Sequence, residues 1–217
     1  MSIESYYARR AQEYERIYAK PERQEDLRTL RSVVEETFRG KHVLEIACGT
    51  GYWTEVLGRS AASVTAVDIN EEVLDIARAK SLKATFHRAD VYALPEFPQK
   101  FDASLAAFWW SHVPKARLRS FLTDFHRAFA PGATIMFTDN IYVEGSSTPI
   151  SRADADGNTY QTRKLDDGST HEVLKNFPTA EDLGQALEGM AHSVSIKSLT
   201  YYWLLKYRPL TSFKIKC

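Results

Sequence analysis

The sequence predicts a single α/β domain with a mostly parallel sheet, and three observations support that expectation. Short apolar runs alternate with helix-length amphipathic stretches from about Lys41 to Thr138, and alternating β and α units pack as a parallel sheet covered by helices. The run Val43-Leu44-Glu45-Ile46 leads into the small-residue corner Ala47-Cys48-Gly49-Thr50-Gly51, and one helix length later Val64-Thr65-Ala66-Val67 ends in Asp68. With 217 residues, 44% of them hydrophobic, the chain suffices for one full core, so residues 1–217 are read as one domain.

Within residues 1–40, Tyr7, Ala11, Tyr14 and Tyr18 form one stripe, and after Pro21 the residues Leu27, Leu30, Val34 and Phe38 form a second. Both spacings put their members on one helix face. Strands follow near His42 to Ala47, Ser63 to Val67 and Ala84 to His87, with helices from Tyr52 and over Glu71 to Lys80 between them. Phe101 to Phe108 is the fourth strand, Pro114 to Phe129 a helix, and Ala133 to Thr138 the fifth strand after a Pro131-Gly132 turn. The pattern stops at Asp139, so residues 139–178 read as an insertion. Inside it, Thr159 to Leu165 and Thr170 to Leu174 flank Asp166-Asp167-Gly168-Ser169, and Asp-Gly between β-like runs predicts a hairpin. Thr179 with Asp182 three residues on predicts a boxed helix start. Ser193 to Ser198 and Leu199 to Tyr207 read as closing strands, with Tyr202 facing away from Tyr201 and Trp203.

Lys plus Arg and Asp plus Glu are both 28, so net charge gives no reason to expect a nucleic acid or a membrane surface as partner. A small molecule is the expected substrate, handled by a monomer or homodimer. Pairing Cys48 with Cys217 would tie the glycine corner to a terminus, so no disulfide is expected. Met1 to Tyr7 carry no basic-then-apolar leader, and no apolar run approaches the ~20 residues that span a bilayer. A cytoplasmic protein is therefore expected. The six histidines are dispersed and no metal is expected, and neither a Gly-x-Ser-x-Gly elbow nor a phosphate-binding Gly-Lys-Ser/Thr loop occurs.

At the glycine corner, Gly49 and Gly51 let the backbone turn sharply and approach a ligand. Glu45 beside it repels a pyrophosphate and attracts a cation, while Asp68 at the end of the next strand can accept both hydroxyls of a ribose. A dinucleotide fingerprint needs G-x-G-x-x-G, and neither register supplies it: Ala47-x-Gly49 reaches Tyr52, and Gly49-x-Gly51 reaches Thr54. Glu45-x-Ala47-x-Gly49-x-Gly51 with Asp68 resembles the nucleoside-binding half of the class I S-adenosylmethionine-dependent methyltransferases, with Ala47 standing where the family usually has its first glycine. The resemblance covers the chain from about Lys41 onward, apart from the insertion. It implies a doubly wound, Rossmann-like seven-stranded sheet, mostly parallel with the last strand antiparallel. It also implies S-adenosylmethionine as cofactor, with Ala47 to Gly51 along its methionine part, Glu45 near its amino group and Asp68 on the ribose. Ile69 would pack on the adenine, with Asp90 and Val91 at the adenine edge, and the N-terminal helices would act as a lid.

The acceptor is expected over the end of the fourth strand, where Trp109 and Trp110 offer aromatic faces and His112 is the candidate general base. Either tryptophan could equally be core filling. Asn140, Tyr142, His171 and Tyr14 are further candidates for the acceptor wall. The expected activity is methyl transfer to an oxygen, nitrogen or sulfur of a small molecule. The rivals are a non-catalytic module that binds the same donor, and donor-dependent chemistry other than methyl transfer. Phe108-Trp109-Trp110-Ser111 is not the Asn/Asp-Pro-Pro-aromatic sequence of base amino methylation, which disfavours nucleic acid.

Overall fold

The computed structural model describes residues 3–210. The leader reading at Met1 and the Cys217 half of the disulfide argument lie outside them. Strands β1 (His42–Ile46), β2 (Ser63–Asp68), β3 (Thr85–Arg88), β4 (Phe101–Ala107) and β5 (Phe129–Asn140) run parallel in one sheet with β9 (Ala191–Ser198) and β10 (Tyr202–Pro209). The order is β3-β2-β1-β4-β5-β10-β9, and β10 is antiparallel to both of its neighbours. Helices α2 (Gln24–Thr37) and α3 (Tyr52–Leu57) cover one face, and α5 (Lys115–Phe125) and α6 (Ala180–Ala186) the other.

Each face carries its own core. Leu27, Leu30, Val34 and Phe38 of the second N-terminal stripe are wholly buried against β1, β4 and Trp53, each contributing roughly 1.5–3 kcal/mol of burial. Phe121 and Phe125 of α5 and Leu183 of α6 pack with Phe137 and Trp203 on the opposite face. Tyr202 falls in the first core and Trp203 in the second, as the alternation along β10 requires.

Three boundaries differ from the sequence reading. Residues 1–40 do not form two plain α-helices: after α1 (Ile3–Arg10) the chain tightens into 3-10 turns at Tyr14–Ala19 and Pro21–Arg23. Pro21 forces Lys20 out of helical geometry, to ψ 121°, and that ends the first stripe. Pro131-Gly132 is a bulge within β5 and not a turn before it, with Gly132 at φ +79° and a register shift opposite Phe101 to Ala103. The helix read to Phe129 stops at Phe125 and ends in a 3-10 turn over His126–Ala128.

The insertion builds a separate three-stranded antiparallel sheet of β6 (Arg152–Ala153), β7 (Thr159–Lys164) and β8 (Thr170–Leu174). The hairpin lies where alternation put it, while β6 is too short to show a period. Among the described residues no helix is long and apolar enough to cross a membrane, and no group of metal-ligating side chains converges.

Candidate functional site

The carboxyl ends of β1, β2, β3 and β4 open on a cavity of about 350 Å³. It lies where the strand order reverses between β1 and β4, the place at which open α/β sheets bind ligands. Ala47, Gly49, Asp68, Ile69, Asp90 and Val91 are on its wall, as are Trp109, His112 and Tyr14. The backbone at this corner takes a left-handed turn at Ala47 (φ +51°) and Gly49 (φ +55°). Phe108, at the facing end of β4, also has positive φ, +60°, a conformation uncommon for a bulky side chain.

Asp68 shows how the corner is held ready. Its Oδ2 accepts from the Gly49 amide at 2.9 Å and its Oδ1 from the Asn70 amide at 3.0 Å, so each oxygen keeps lone-pair capacity for a ligand hydroxyl. Burial raises its pKa, opposed by those two amides. A nucleoside with vicinal hydroxyls fits this donor and acceptor set.

Glu45 and Gly51 are not on the wall. Glu45 is 2% exposed and accepts from the Thr54 hydroxyl at 2.6 Å. Burial pushes it up to about 8, the Thr54 hydrogen bond opposing and the Asp68 charge adding. Gly51 starts α3 at φ +86°, and a Cβ there would meet Leu82 Cδ1 at 2.9 Å and Ala77 Cβ at 3.2 Å. Its glycine is required by turn geometry and by packing against Leu82 and against Ala77 of α4 (Glu71–Ala79).

A second chamber, about 300 Å³, adjoins the first between the N-terminal segment and the insertion. Tyr7, Tyr14, Phe108 and His112 line both. Asn140 faces this second chamber, where it accepts from Arg23 at 2.9 Å. Trp110, Tyr142 and His171 face neither. Trp110 is core, 3% exposed, with its ring against Phe137 and Trp203. Tyr142 is exposed and stands edge-on to Phe177. His171 shares a face of the hairpin with Arg163, its cross-strand partner, but is buried beneath Tyr6 with its Nε2 on Ser169 Oγ at 2.7 Å.

His112 sits in a fixed hydrogen-bond frame. Its Nδ1 lies 2.6 Å from the Leu174 carbonyl and its Nε2 2.8 Å from the Tyr7 hydroxyl. Behind it, Lys175 Nζ bonds Asp139 Oδ1 at 2.8 Å and Ser111 Oγ at 2.6 Å, while Asp139 Oδ2 accepts from the Ser111 amide at 3.0 Å. Burial would raise Asp139, but the Lys175 ammonium, the His112 ring and the hydrogen bonds from Lys175 and the Ser111 amide together hold the carboxyl down at about 2. Burial of the Lys175 ammonium lowers it to about 8, against the pull of Asp139.

Sequence reasoning missed Lys175, Arg10, Arg23 and Arg163 on the second chamber, and Arg117, whose guanidinium lies 3.9 Å over the Tyr92 ring at the first. Arginines scattered through helices and a hairpin carry no local pattern; only the fold gathers them.

A methyltransferase-domain family model matches residues 43–132. The seven-stranded sheet with its antiparallel last strand is similar to the fold of the class I S-adenosylmethionine-dependent methyltransferases. Over 82 residues it is 34% identical to the ubiquinone biosynthesis O-methyltransferase of Coxiella burnetii, covering 36% of this chain and 35% of that one. Over 114 residues it is 32% identical to the malonyl-[acyl-carrier protein] O-methyltransferase of Erwinia pyrifoliae, covering 51% and 41%. These matches span well under two thirds of the curated relatives. Among solved structures, the DhpI-SAM-HEP complex superimposes with a TM-score of 0.79 at 29% identity, over 94% of this chain and 95% of that one.

Proposed function

We propose that the chain transfers a methyl group from S-adenosylmethionine, held in the first cavity, to an oxygen of a small molecule held in the second. The observation that carries this reading is the shared wall: Tyr7, Tyr14, Phe108 and His112 border both chambers, so a donor and an acceptor placed in them meet across a few side chains. The relatives named O-methyltransferases support oxygen as the atom methylated.

In this reading Asp68 holds the ribose, Ile69 packs on the adenine, and Asp90 with Val91 reads its edge. The donor supplies a methyl group already activated on a sulfonium. The chain's own task is to align nucleophile, carbon and sulfur and to exclude water, and such positioning can supply about 7–11 kcal/mol of the barrier. The N-terminal segment closes the site by laying Tyr7 and Tyr14 over both chambers. Isothermal titration with S-adenosylmethionine, followed by mass analysis of products from pooled small molecules, tests the reading. Stoichiometric donor binding and acceptors heavier by one methyl group are expected. Absence of donor binding would refute it, and binding without any methylated product would favour a non-catalytic module.

A further inference from the structure

The second chamber carries positive charge that its own side chains do not balance. Arg163 donates through Nε and Nη2 to the side-chain oxygen of Gln161, at 3.2 and 2.7 Å. Arg23 is only 6% exposed and spends its donors on Asn140 Oδ1 and on Ser146. Arg10 lies over the rings of Tyr6 and Tyr14 at 5.8 and 5.5 Å. Among the described residues, none of the three has a carboxylate within ion-pair distance. The acid on this wall, Glu13, accepts from the Asp166 amide instead. Converging guanidinium groups repel one another and lose hydration, and an oxyanion relieves both through charge-assisted, bidentate hydrogen bonds.

His112, between the chambers, has its proton-accepting lone pair occupied. A carbonyl oxygen only accepts, so Nδ1 facing Leu174 carries the hydrogen and Nε2 the lone pair. The Tyr7 hydroxyl donates to that lone pair. Burial first and the Lys175 charge second hold the imidazole well below its usual range, with Asp139 pulling the other way and Arg163 adding to the depression. A neutral alcohol in the second chamber would find the His112 lone pair already taken by Tyr7.

The geometry points to an acceptor that arrives ionised: a small-molecule oxyanion, of phosphate type or a carboxylate, gripped by Arg163 and Arg10, with the buried charge of Arg23 behind them, and methylated on its own charged oxygen. This rests on the methyl-transfer reading above. A lone pair of the anionic oxygen forms the O–C bond while the C–S bond breaks and its electron pair stays on sulfur. One negative and one positive charge cancel, the products are an ester and a thioether, and no proton moves. Tyr7 and His112 then act as positioning residues.

The test is isothermal titration of the chain saturated with S-adenosylhomocysteine, using ethyl phosphate, propionate and uncharged propionamide as separate titrants. At least one anion binds and propionamide does not; the tighter anion distinguishes a phosphate-type head group from a carboxylate. Arg163→Gln weakens that anion at least tenfold and leaves S-adenosylhomocysteine affinity unchanged. Should Arg163→Gln also lose S-adenosylhomocysteine, Arg10→Gln carries the same expectation. No anion binding, propionamide binding as tightly as propionate, or undiminished anion affinity in the variant that still binds S-adenosylhomocysteine overturns the oxyanion acceptor and leaves methyl transfer standing. Failure of the parent chain to bind S-adenosylhomocysteine overturns the methyl-transfer reading itself.

Discussion

Glu45 is the residue whose chemistry the fold alters most within the glycine corner. An ordinary glutamate ionises near pH ~4.3, whereas burial raises this one to about 8. A carboxyl whose pKa is higher folded than unfolded contributes stability that is fully present below the unfolded value and is lost as pH rises through the folded one. The thermal midpoint of the ligand-free chain therefore falls between about pH 5 and 8, reflecting a loss on the order of 3 kcal/mol. Glu45→Gln removes most of that slope, and a pH series of melts on both proteins checks it. The acid was legible in the sequence because it sits two residues before the corner, but its burial was not. Period-2 alternation would have left it half exposed; pairing on both sides, with Ala66 of β2 and Leu105 of β4, places it deep in the sheet.

At the scale of elements, the N-terminal segment is held at its surface by contacts that open easily, in addition to the buried Tyr6 and Tyr18. Glu15 accepts from the Thr50 hydroxyl at 2.7 Å and pairs with Lys80, and Arg16 pairs with Asp166 at 2.6 Å. Exposed pairs of this kind contribute roughly 0–1 kcal/mol, so they steer the segment without fixing it. Glu15→Ala should leave the global melt within about 1 kcal/mol of the parent. It should also speed limited proteolysis between α1 and α2 and reduce the protection conferred by S-adenosylhomocysteine. Equal cleavage rates in the two proteins would count against the segment as a lid. The tyrosine stripe was legible, and Tyr7 and Tyr14 do line the cavities, yet Tyr18 stacks on Tyr52 at 3.7 Å within the core. Spacing shows which residues share a face and not which end of that face meets the ligand.

Across the whole molecule, the sheet and the insertion are joined by one buried polar network. Lys175 from the insertion pairs with Asp139 at the end of β5, and Asn176 donates its amide to the Ser111 carbonyl at 2.8 Å. Asp139→Asn leaves the Lys175 ammonium buried without a counter-charge, a change that costs about 3–5 kcal/mol. The double substitution Asp139→Leu with Lys175→Met should recover much of that loss, which urea melts of the three proteins measure. The wall of the first cavity was legible because its residues stand at successive strand ends. The second chamber was not, since its cations come from α1, the Pro21 turn and the β7–β8 hairpin, and only tertiary packing makes them neighbours.

The same network divides the molecule into parts that can change at different rates. Asn158 and Asn176 meet at the foot of the insertion, where Asn176 Nδ2 donates to Asn158 Oδ1 at 3.2 Å and to the Val113 carbonyl at 3.1 Å. The Asp166 to Ser169 tip is tied to the rest of the chain through surface bonds to Glu13 and Arg16. A hairpin anchored at its foot and loose at its tip is a modular wall. Its outer half can be exchanged for another sequence, and with it the shape of the second chamber, while the glycine corner at the first cavity stays as it is.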